Sequence, residues 1–368
     1  MASKLMTRLQ KLDCAIVERV NPYSTVIETP SPSMNFIFGK GWGLPRGYTM
    51  MMYGAPRGGK SVICNMMIAK AQRDYPKSLI IKFNTEMREN LQMTEEDLVK
   101  YGIDKSRYMV IETNDPVKIF DTITKEIEPG LQDGEDCALL IIDSLSSIRG
   151  RRDQNSDSLE TMQIGDKAKT IQDALGRILE LQRKHNIGVI LTTQVRAEMD
   201  AMMQKVSKVK PDAAFGAKHY AEYYVYVEQG IFQSGRKDLQ GNSLDDDTMQ
   251  DLYSVDKGQA ERRAHRIAVS MIDSSAGPKG RNGEFTFDFQ KLQVINQHEE
   301  IFLLGTRRGV VERPSNREYV FGGKTWRSKD DFLNAIKEDG VMASEILKEV
   351  KRRDNLGLLV ETAVEESK

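Results

Sequence analysis

The run GAPRGGKS at residues 54–61 is the first stretch of this chain whose residue types and spacing can do chemistry. Gly54, Gly59, Lys60 and Ser61 satisfy the spacing GxxxxGK[ST]. Glycines let backbone N–H groups turn inward around phosphate oxygens, the lysine brings a point charge to β- and γ-oxygens, and the hydroxyl is a hard ligand for Mg2+. The whole stretch Gly54, Ala55, Pro56, Arg57, Gly58, Gly59, Lys60, Ser61 and Val62 is therefore expected to cradle ATP or a related nucleotide, with the positive end of the following helix behind it. Asp143 closes the apolar run CALLIID, where a carboxylate can hold a Mg2+ water opposite Ser61. Glu86 stands just past LIIKFNT, a position that suits a base orienting an attacking water, although a lone acidic residue after a strand is usually a surface group. Gln194 ends GVILTTQ, where a side-chain amide can sense a γ-phosphate and pass its presence to the loop beyond. The residues alone leave the roles of Glu86 and Gln194 open.

These groups need a scaffold, and the pattern around them supplies one. YTMMMYG, SLIIKFN, YMVIET, CALLIID and IGVILTTQ read as strands, and residues 60–74, 91–101, 116–127 and 166–185 as the helices between them. The apolar runs are short and continuous, as strands covered on both faces require, so an α/β fold with a mostly parallel sheet is expected. AEYYVYVEQ, RIAVSMID and GEFTFDF lack intervening helices and are expected as an antiparallel extension. Residues 149–165 and 195–216 follow the carboxyl ends of strands, where such sheets bind ligands. They bring together Arg149, Arg151, Arg152, Lys169, Arg196, Lys205, Lys208 and Lys210, with the apolar Ile164, Met199, Met202 and Met203. The chain has a formal net charge of −1, so any attraction for nucleic acid must come from such a local patch. Phosphate backbones favour it, and flexible apolar side chains suit wedging between unstacked bases; two polar loops with incidental charge are the alternative. Residues 234–261, which contain DDD, read as a solvated insertion.

The two ends differ from this middle. Leu5, Leu9, Leu12, Ile16 and Val20 form one helical apolar stripe, and NPYSTVIETPSPS after it reads as a linker or extended arm. The stripe must be covered by its own domain or by a neighbouring subunit. After about residue 295 the pattern becomes that of a small α+β domain, and ETAVEESK reads as a frayed acidic tail. A hydrophobic fraction of 39% with 29% charged residues fits a globular protein. The cysteines Cys14, Cys64 and Cys137 and the four histidines are scattered, which argues against a disulfide scaffold or a metal cluster. Without an apolar run near about 18 residues or a signal peptide, a cytoplasmic protein with no membrane contact is expected.

In the order of these parts the chain resembles the RecA family of strand-exchange recombinases, most closely the phage UvsX type, over about residues 33–353. SMNFIFGKGWGLPRGYTMMMYGAPRGGKS is similar to the family's approach to its phosphate loop. FNTE places Glu86 on the catalytic glutamate, LLIIDS matches the Walker B strand, and LTTQVR matches the strand and Gln that open the second DNA loop. FGAKHYAEYYVYV resembles the segment closing that loop, and GVVERPSNREYVFGGKTWRSKDDFLNAI resembles the UvsX-type C-terminal domain. The resemblance implies a RecA-like ATPase core at 36–294, an oligomerisation helix and arm at 1–35, a C-terminal domain at 295–353 and an acidic tail at 354–368. It implies ATP and Mg2+ as cofactors, with ATP held between adjacent subunits of a helical filament on single-stranded DNA. A homologous double-stranded DNA is then the second partner, with single-strand-binding and mediator proteins as accessories. Arg196 falls on a DNA-contacting position, and Ile164 and Met199 on positions that separate base triplets. A RecA-core helicase, or a filament that coats DNA without exchange, is the alternative.

Three departures stand out. Where the family presents paired lysines from the neighbouring subunit to the γ-phosphate, this chain has VSMIDSSAGPKGRNG, with Asp273 near one of those positions. Lys279 and Arg281 are the candidates to replace them. His219 falls where RecA has an interface aromatic, and no tyrosine aligns with the one that RecA stacks on adenine, Asp97 being the nearest residue.

Overall fold

A computed structural model of the chain describes residues 21–88, 93–148, 164–197, 209–211, 220–229, 264–315 and 317–355. The stripe at 5–20, the insertion at 234–261 and the tail after 355 lie outside the described residues.

In chain order the first strands are β1 (Val26–Ile27), β2 (Leu44–Pro45), β3 (Thr49–Tyr53), β4 (Leu79–Asn84), β5 (Tyr108–Glu112), β6 (Cys137–Asp143) and β7 (Gly188–Thr193). Then come β8 (Val195–Ala197), β9 (Val209–Pro211), β10 (Tyr223–Gln229), β11 (Ala264–Ser274), β12 (Asn282–Asp288) and β13 (Gln293–Ile295). The last three are β14 (Glu312–Ser315), β15 (Glu318–Phe321) and β16 (Lys324–Trp326). Nine of these make one sheet in the order β13-β12-β11-β10-β3-β7-β6-β4-β5. From β5 to β10 all neighbours are parallel, and from β10 to β13 all are antiparallel. This corrects one expectation: AEYYVYVEQ was grouped with the antiparallel extension, but β10 runs parallel to β3 and only its other edge is antiparallel. Pairing direction is set by the path between strands, which their composition does not encode.

The strands carry apolar residues at consecutive positions because both faces are covered. In β3, Met50 and Met52 pack with Ile63, Cys64 and Met67 of the helix Lys60–Asp74. Met51 and Tyr53 point the other way, toward Ile119, Ile123 and Ile127 and toward Leu175 and Ile178 of the helix Ile164–His185. The helix expected at 116–127 continues further. It passes through a π-turn at Ile123–Ile127 and runs on as Glu128–Gln132, with Pro129 in its first turn. A proline there has no N–H to leave unpaired, so it does not end the helix.

The proline-rich arm is folded onto its own chain from residue 25 onward. β1 pairs with β2, and Ser31 caps the short helix Pro32–Phe36. Ser31 Oγ donates to Glu300 Oε2 at 2.5 Å and Ser33 N donates to the same oxygen at 2.9 Å. Glu300 belongs to the helix Gln297–Arg307, so the arm is pinned to the C-terminal domain. That domain adds the sheet β14-β15-β16 and the helices Lys329–Glu338 and Gly340–Asn355 around Phe302, Phe332 and Ile346. Phe36 and Trp42 complete this core from the side of the nine-stranded sheet. Asp354, expected as the first residue of the tail, is instead a buried member of the last helix, four residues beyond Val350 on the same buried stripe.

Candidate nucleotide site

The site forms where the carboxyl ends of β3, β4, β6 and β7 converge. β3 runs into the loop Gly54–Gly59, and the helix Lys60–Asp74 leaves it. Two of the glycines are geometrically required. A Cβ on Gly54 would collide with the carbonyl oxygen of Val227, and Gly59 caps the helix at φ +105°, a left-handed conformation. Lys60 Nζ folds back to donate to the carbonyl oxygens of Gly54 at 2.9 Å and Ala55 at 3.0 Å. Burial lowers its pKa, opposed by the charges of Asp143 and Glu86. Two neutral carbonyls are weak partners for such an ammonium, so an anion entering the loop displaces them readily.

Beside it, Ser61 Oγ donates to Asp143 Oδ2 at 3.3 Å. Asp143 is oriented by Thr192 Oγ1, which donates to Oδ1 at 2.5 Å, and by Lys82 Nζ at 3.9 Å. A hydroxyl and a carboxylate this close, next to a phosphate-binding loop, are hard oxygen ligands that fit Mg2+ and its waters. Among the described residues no group of three His, Cys, Asp or Glu side chains is placed to hold a metal by itself.

Glu86 comes from the loop after β4, which is stitched to the end of β6. Thr85 Oγ1 donates to Ser144 O at 2.6 Å, Thr85 N donates to Asp143 O at 2.9 Å, and Ser144 Oγ donates to Glu86 Oε1 at 3.4 Å. Glu86 and Gln194 both line one cleft with Lys60, Ser61 and Asp143, as do Pro56, Arg57, Gly58, Gly59 and Val62. The structure thus brings together the phosphate loop, the expected metal ligands, and the residues expected to act as base and as γ-phosphate sensor.

The cleft measures about 1150 Å3, more than a triphosphate needs. Its far end is walled by residues that sequence reading did not single out, among them Asn65, Tyr101, His265 and Phe289. Asp97 lies there too, its carboxylate engaged in capping the helix Glu95–Tyr101 through Thr94. Tyr101 sits one helical turn from Asp97, shares its face and lines the same cleft. Thr192, Lys82 and Thr85 were hidden inside strand patterns; the signal that could have found them is a polar residue in the last turns of an otherwise apolar run.

Other expected residues part company with this cluster. Arg281 is committed elsewhere: its two Nη atoms donate to the two oxygens of Asp354, each at 2.8 Å, and Nη1 also donates to Phe36 O at 2.9 Å. It ties the core to the C-terminal domain, so of the two expected cations only Lys279 keeps an exposed side chain. Lys279 is exposed and pairs with Asp273 at 2.6 Å. Of the expected DNA contacts, Arg149, Arg151, Arg152, Met199, Lys205 and Lys208 lie outside the described residues, as does His219. Ile164 and Lys169 fall on the first turns of the long helix, and Arg196 and Lys210 on β8 and β9; only their backbone is described. Part of the second loop is thus an antiparallel ribbon, in which Arg196 and Lys210 stand directly opposite each other.

Comparison with known proteins agrees with this geometry. The family description "RecA N-terminal domain" matches residues 14–244. Protein RecA of Bordetella avium is 22% identical over 338 residues, covering 92% of this chain and 84% of that protein. Protein RecA of Delftia acidovorans is 21% identical over 334 residues, covering 90% and 79%, and that of Bordetella petrii is 23% identical over 341 residues, covering 92% and 83%.

Proposed function

The chain belongs to the RecA family, and from that premise we propose that it is an ATP-dependent recombination protein that assembles on single-stranded DNA and pairs it with a homologous duplex. One observation carries the reading. Gln194, in the wall of the nucleotide cleft, is followed immediately by β8, whose Arg196 opposes Lys210 across the ribbon. Like charges directly opposite in a ribbon destabilise it unless an anion lies against them. A phosphodiester backbone is such an anion, repeated along a strand. A side chain that senses the γ-phosphate is therefore two residues from a polyanion contact.

In the cis half of the site, Lys60 exchanges the carbonyls of Gly54 and Ala55 for β- and γ-phosphate oxygens. Glu86 accepts a hydrogen bond from a water, aligns it with the γ-phosphorus and takes its proton as the new P–O bond forms and the bond from the γ-phosphorus to the β–γ bridging oxygen breaks, so that ADP leaves with that oxygen and inorganic phosphate is released. A Mg2+ bound by Ser61 and, through water, by Asp143 would neutralise charge on the β- and γ-oxygens. Gln194 distinguishes the triphosphate from the product and shifts the ribbon accordingly.

Assembly is supported by a second surface. β5 is one of the two edge strands of the sheet, and an apolar groove of about 310 Å3 runs beside it, lined by Leu79, Ile81, Met109, Ile127 and Leu131. Residues 1–20 precede Tyr23 in the chain, and Tyr23 lies on the opposite flank, where its Oη donates to Ala276 O at 2.8 Å. Their apolar stripe therefore suits the groove of a neighbouring copy, and a contact of this head-to-tail kind propagates as a helix. The resemblance of the C-terminal motif supports a reading as the phage UvsX type, with the bacterial cytoplasm as its compartment and single-strand-binding and mediator proteins as partners.

The test is an exchange reaction between circular single-stranded DNA and a homologous linear duplex, followed on gels. Joint molecules that require ATP and homology are expected. Stable coating of the single strand with no joint molecules would contradict the exchange part of the reading.

A further inference from the structure

β4 is an apolar strand with a lysine in its middle. Lys82 follows Ile81 and precedes Phe83, and its register partners on the flanking strands are Val110 and Ile141. Alternation along the strand turns it to the face of Ile80, which packs in the same core as Met66 and Met67 of the helix Lys60–Asp74. Its side chain is 3% exposed. A charge buried this deeply persists only against compensating groups. Asp143 is one of them, its Oδ2 lying 3.9 Å from Lys82 Nζ.

The two oxygens of Asp143 are used differently. Oδ1 accepts from Thr192 Oγ1, while Oδ2 accepts from Ser61 Oγ and faces Lys82. A metal held by Ser61 and reaching Asp143 through water therefore shares Oδ2 with an ammonium. Lys60 and Lys82 both line the cleft, but a nucleotide affects them differently. Lys60 belongs to the phosphate loop, and the carbonyl oxygens of Gly54 and Ala55 that hold it give way to phosphate. Lys82 is rooted in the central sheet, so its charge stays beside Asp143 whatever enters the loop. It is the wrong sign for a neighbour of a metal, unless its purpose is to make the metal's entry conditional.

Resting on the metal role given above to Ser61 and Asp143, we propose that Lys82 is a positioning residue that keeps a free divalent cation out of this site and admits Mg2+ only together with the phosphates of a nucleotide. A divalent ion arriving alone is set beside a fixed positive charge in a partly buried place, where like charges repel more strongly than in water. A nucleotide brings phosphate oxygens to the same place, and their negative charge offsets Lys82. In the meantime Lys82 and Thr192 hold the two oxygens of Asp143, so the carboxylate stays aimed at Ser61 without recruiting an ion. Metal occupancy is thereby tied to nucleotide occupancy by one residue of β4. The sign of the effect does not depend on the other partners of Lys82, since removing a positive charge there always favours a cation.

The experiment is a titration of the full chain with Mn2+ alone, without nucleotide, in which binding is read from loss of the free-ion paramagnetic resonance signal. Lys82→Met, close to lysine in length, is expected to bind Mn2+ about tenfold more tightly than the parent. Lys82→Gln is expected to show the same gain, which keeps the test open should one neutral variant not fold. Lys82→Arg, which keeps the charge, is expected to stay within about threefold of the parent. Asp143→Asn added to Lys82→Met is expected to abolish the gain and so to place the new binding at this site. If the folded neutral variants bind Mn2+ no better than the parent, or if the gain survives Asp143→Asn, Lys82 does not gate the metal, while the roles of Ser61 and Asp143 stand. A second titration separates the two readings: binding of a fluorescent ATP analogue by the parent is expected to tighten with Mg2+. A parent whose nucleotide affinity ignores Mg2+ contradicts both the metal role and the gate.

Discussion

Two buried carboxylates organise this protein, and they are surrounded differently. Asp354 is saturated: Arg281, Arg308 and the indole N–H of Trp42 all donate to it, and its side chain is 1% exposed. Asp143 sits at the floor of an open cleft, with two hydroxyl donors and one lysine at 3.9 Å. The first holds two domains in one arrangement and has no capacity left for a ligand. The second keeps partners that a metal and its waters can replace. A charge with fixed strong partners is read as architecture, and a charge with exchangeable weak ones as a site.

The comparison breaks most sharply at Glu86, another carboxylate of the open kind. Glu86→Gln keeps size and packing but removes the proton acceptor. Turnover of ATP is expected to fall by about 10²–10⁴-fold with nucleotide binding retained, measured by phosphate release and by a binding assay. Normal hydrolysis by this variant would mean the base lies elsewhere. At the closed carboxylate the effect should appear in stability instead. Asp354→Ala removes the carboxylate that pairs the half-buried Arg281 and the buried Arg308, at a cost of about 3–5 kcal/mol in denaturant unfolding. A protein that shows no loss would mean the seam is solvated and the contrast drawn above is false.

Glu300 sharpens the comparison because it is buried and, among the described residues, makes no ion pair. Desolvation pushes its carboxyl from 4.5 up to about 8, against the hydrogen bonds from Ser31 and Ser33. Between those values the folded chain keeps the proton that the unfolded chain releases. Stability from this group is therefore highest at the acidic end, falls as the pH rises from about 4.5 to 8 and is flat beyond. Glu300→Gln, neutral throughout, is expected to flatten this slope in melting curves taken between pH 5 and 8.5. An unchanged slope would assign it to other groups.

Much of this was legible in the sequence, and the reasons differ from part to part. The parallel strands could be read because covering both faces forces continuous apolar runs, as in CALLIID and GVILTT. The phosphate loop could be read because Gly54 and Gly59 are fixed by backbone geometry that few other residues tolerate. The direction of β10 could not, since nothing in YYVYVEQ records which strand lies beside it. Asp354 was missed for a different reason. It continues the buried spacing Met342, Ile346, Val350, yet its charge makes it resemble the acidic residues that follow. Arg281 was misjudged with it, because a cation on a turn looks available until its partner is seen.

The central claim is that occupancy of the nucleotide cleft and contact with DNA are coupled through Gln194 and the ribbon that follows it. The most direct measurement is the rate of ATP hydrolysis by the full chain with and without homopolymeric single-stranded DNA. The account predicts a marked increase on adding DNA, and its loss in Gln194→Ala while basal ATP binding persists. A rate indifferent to DNA would contradict it.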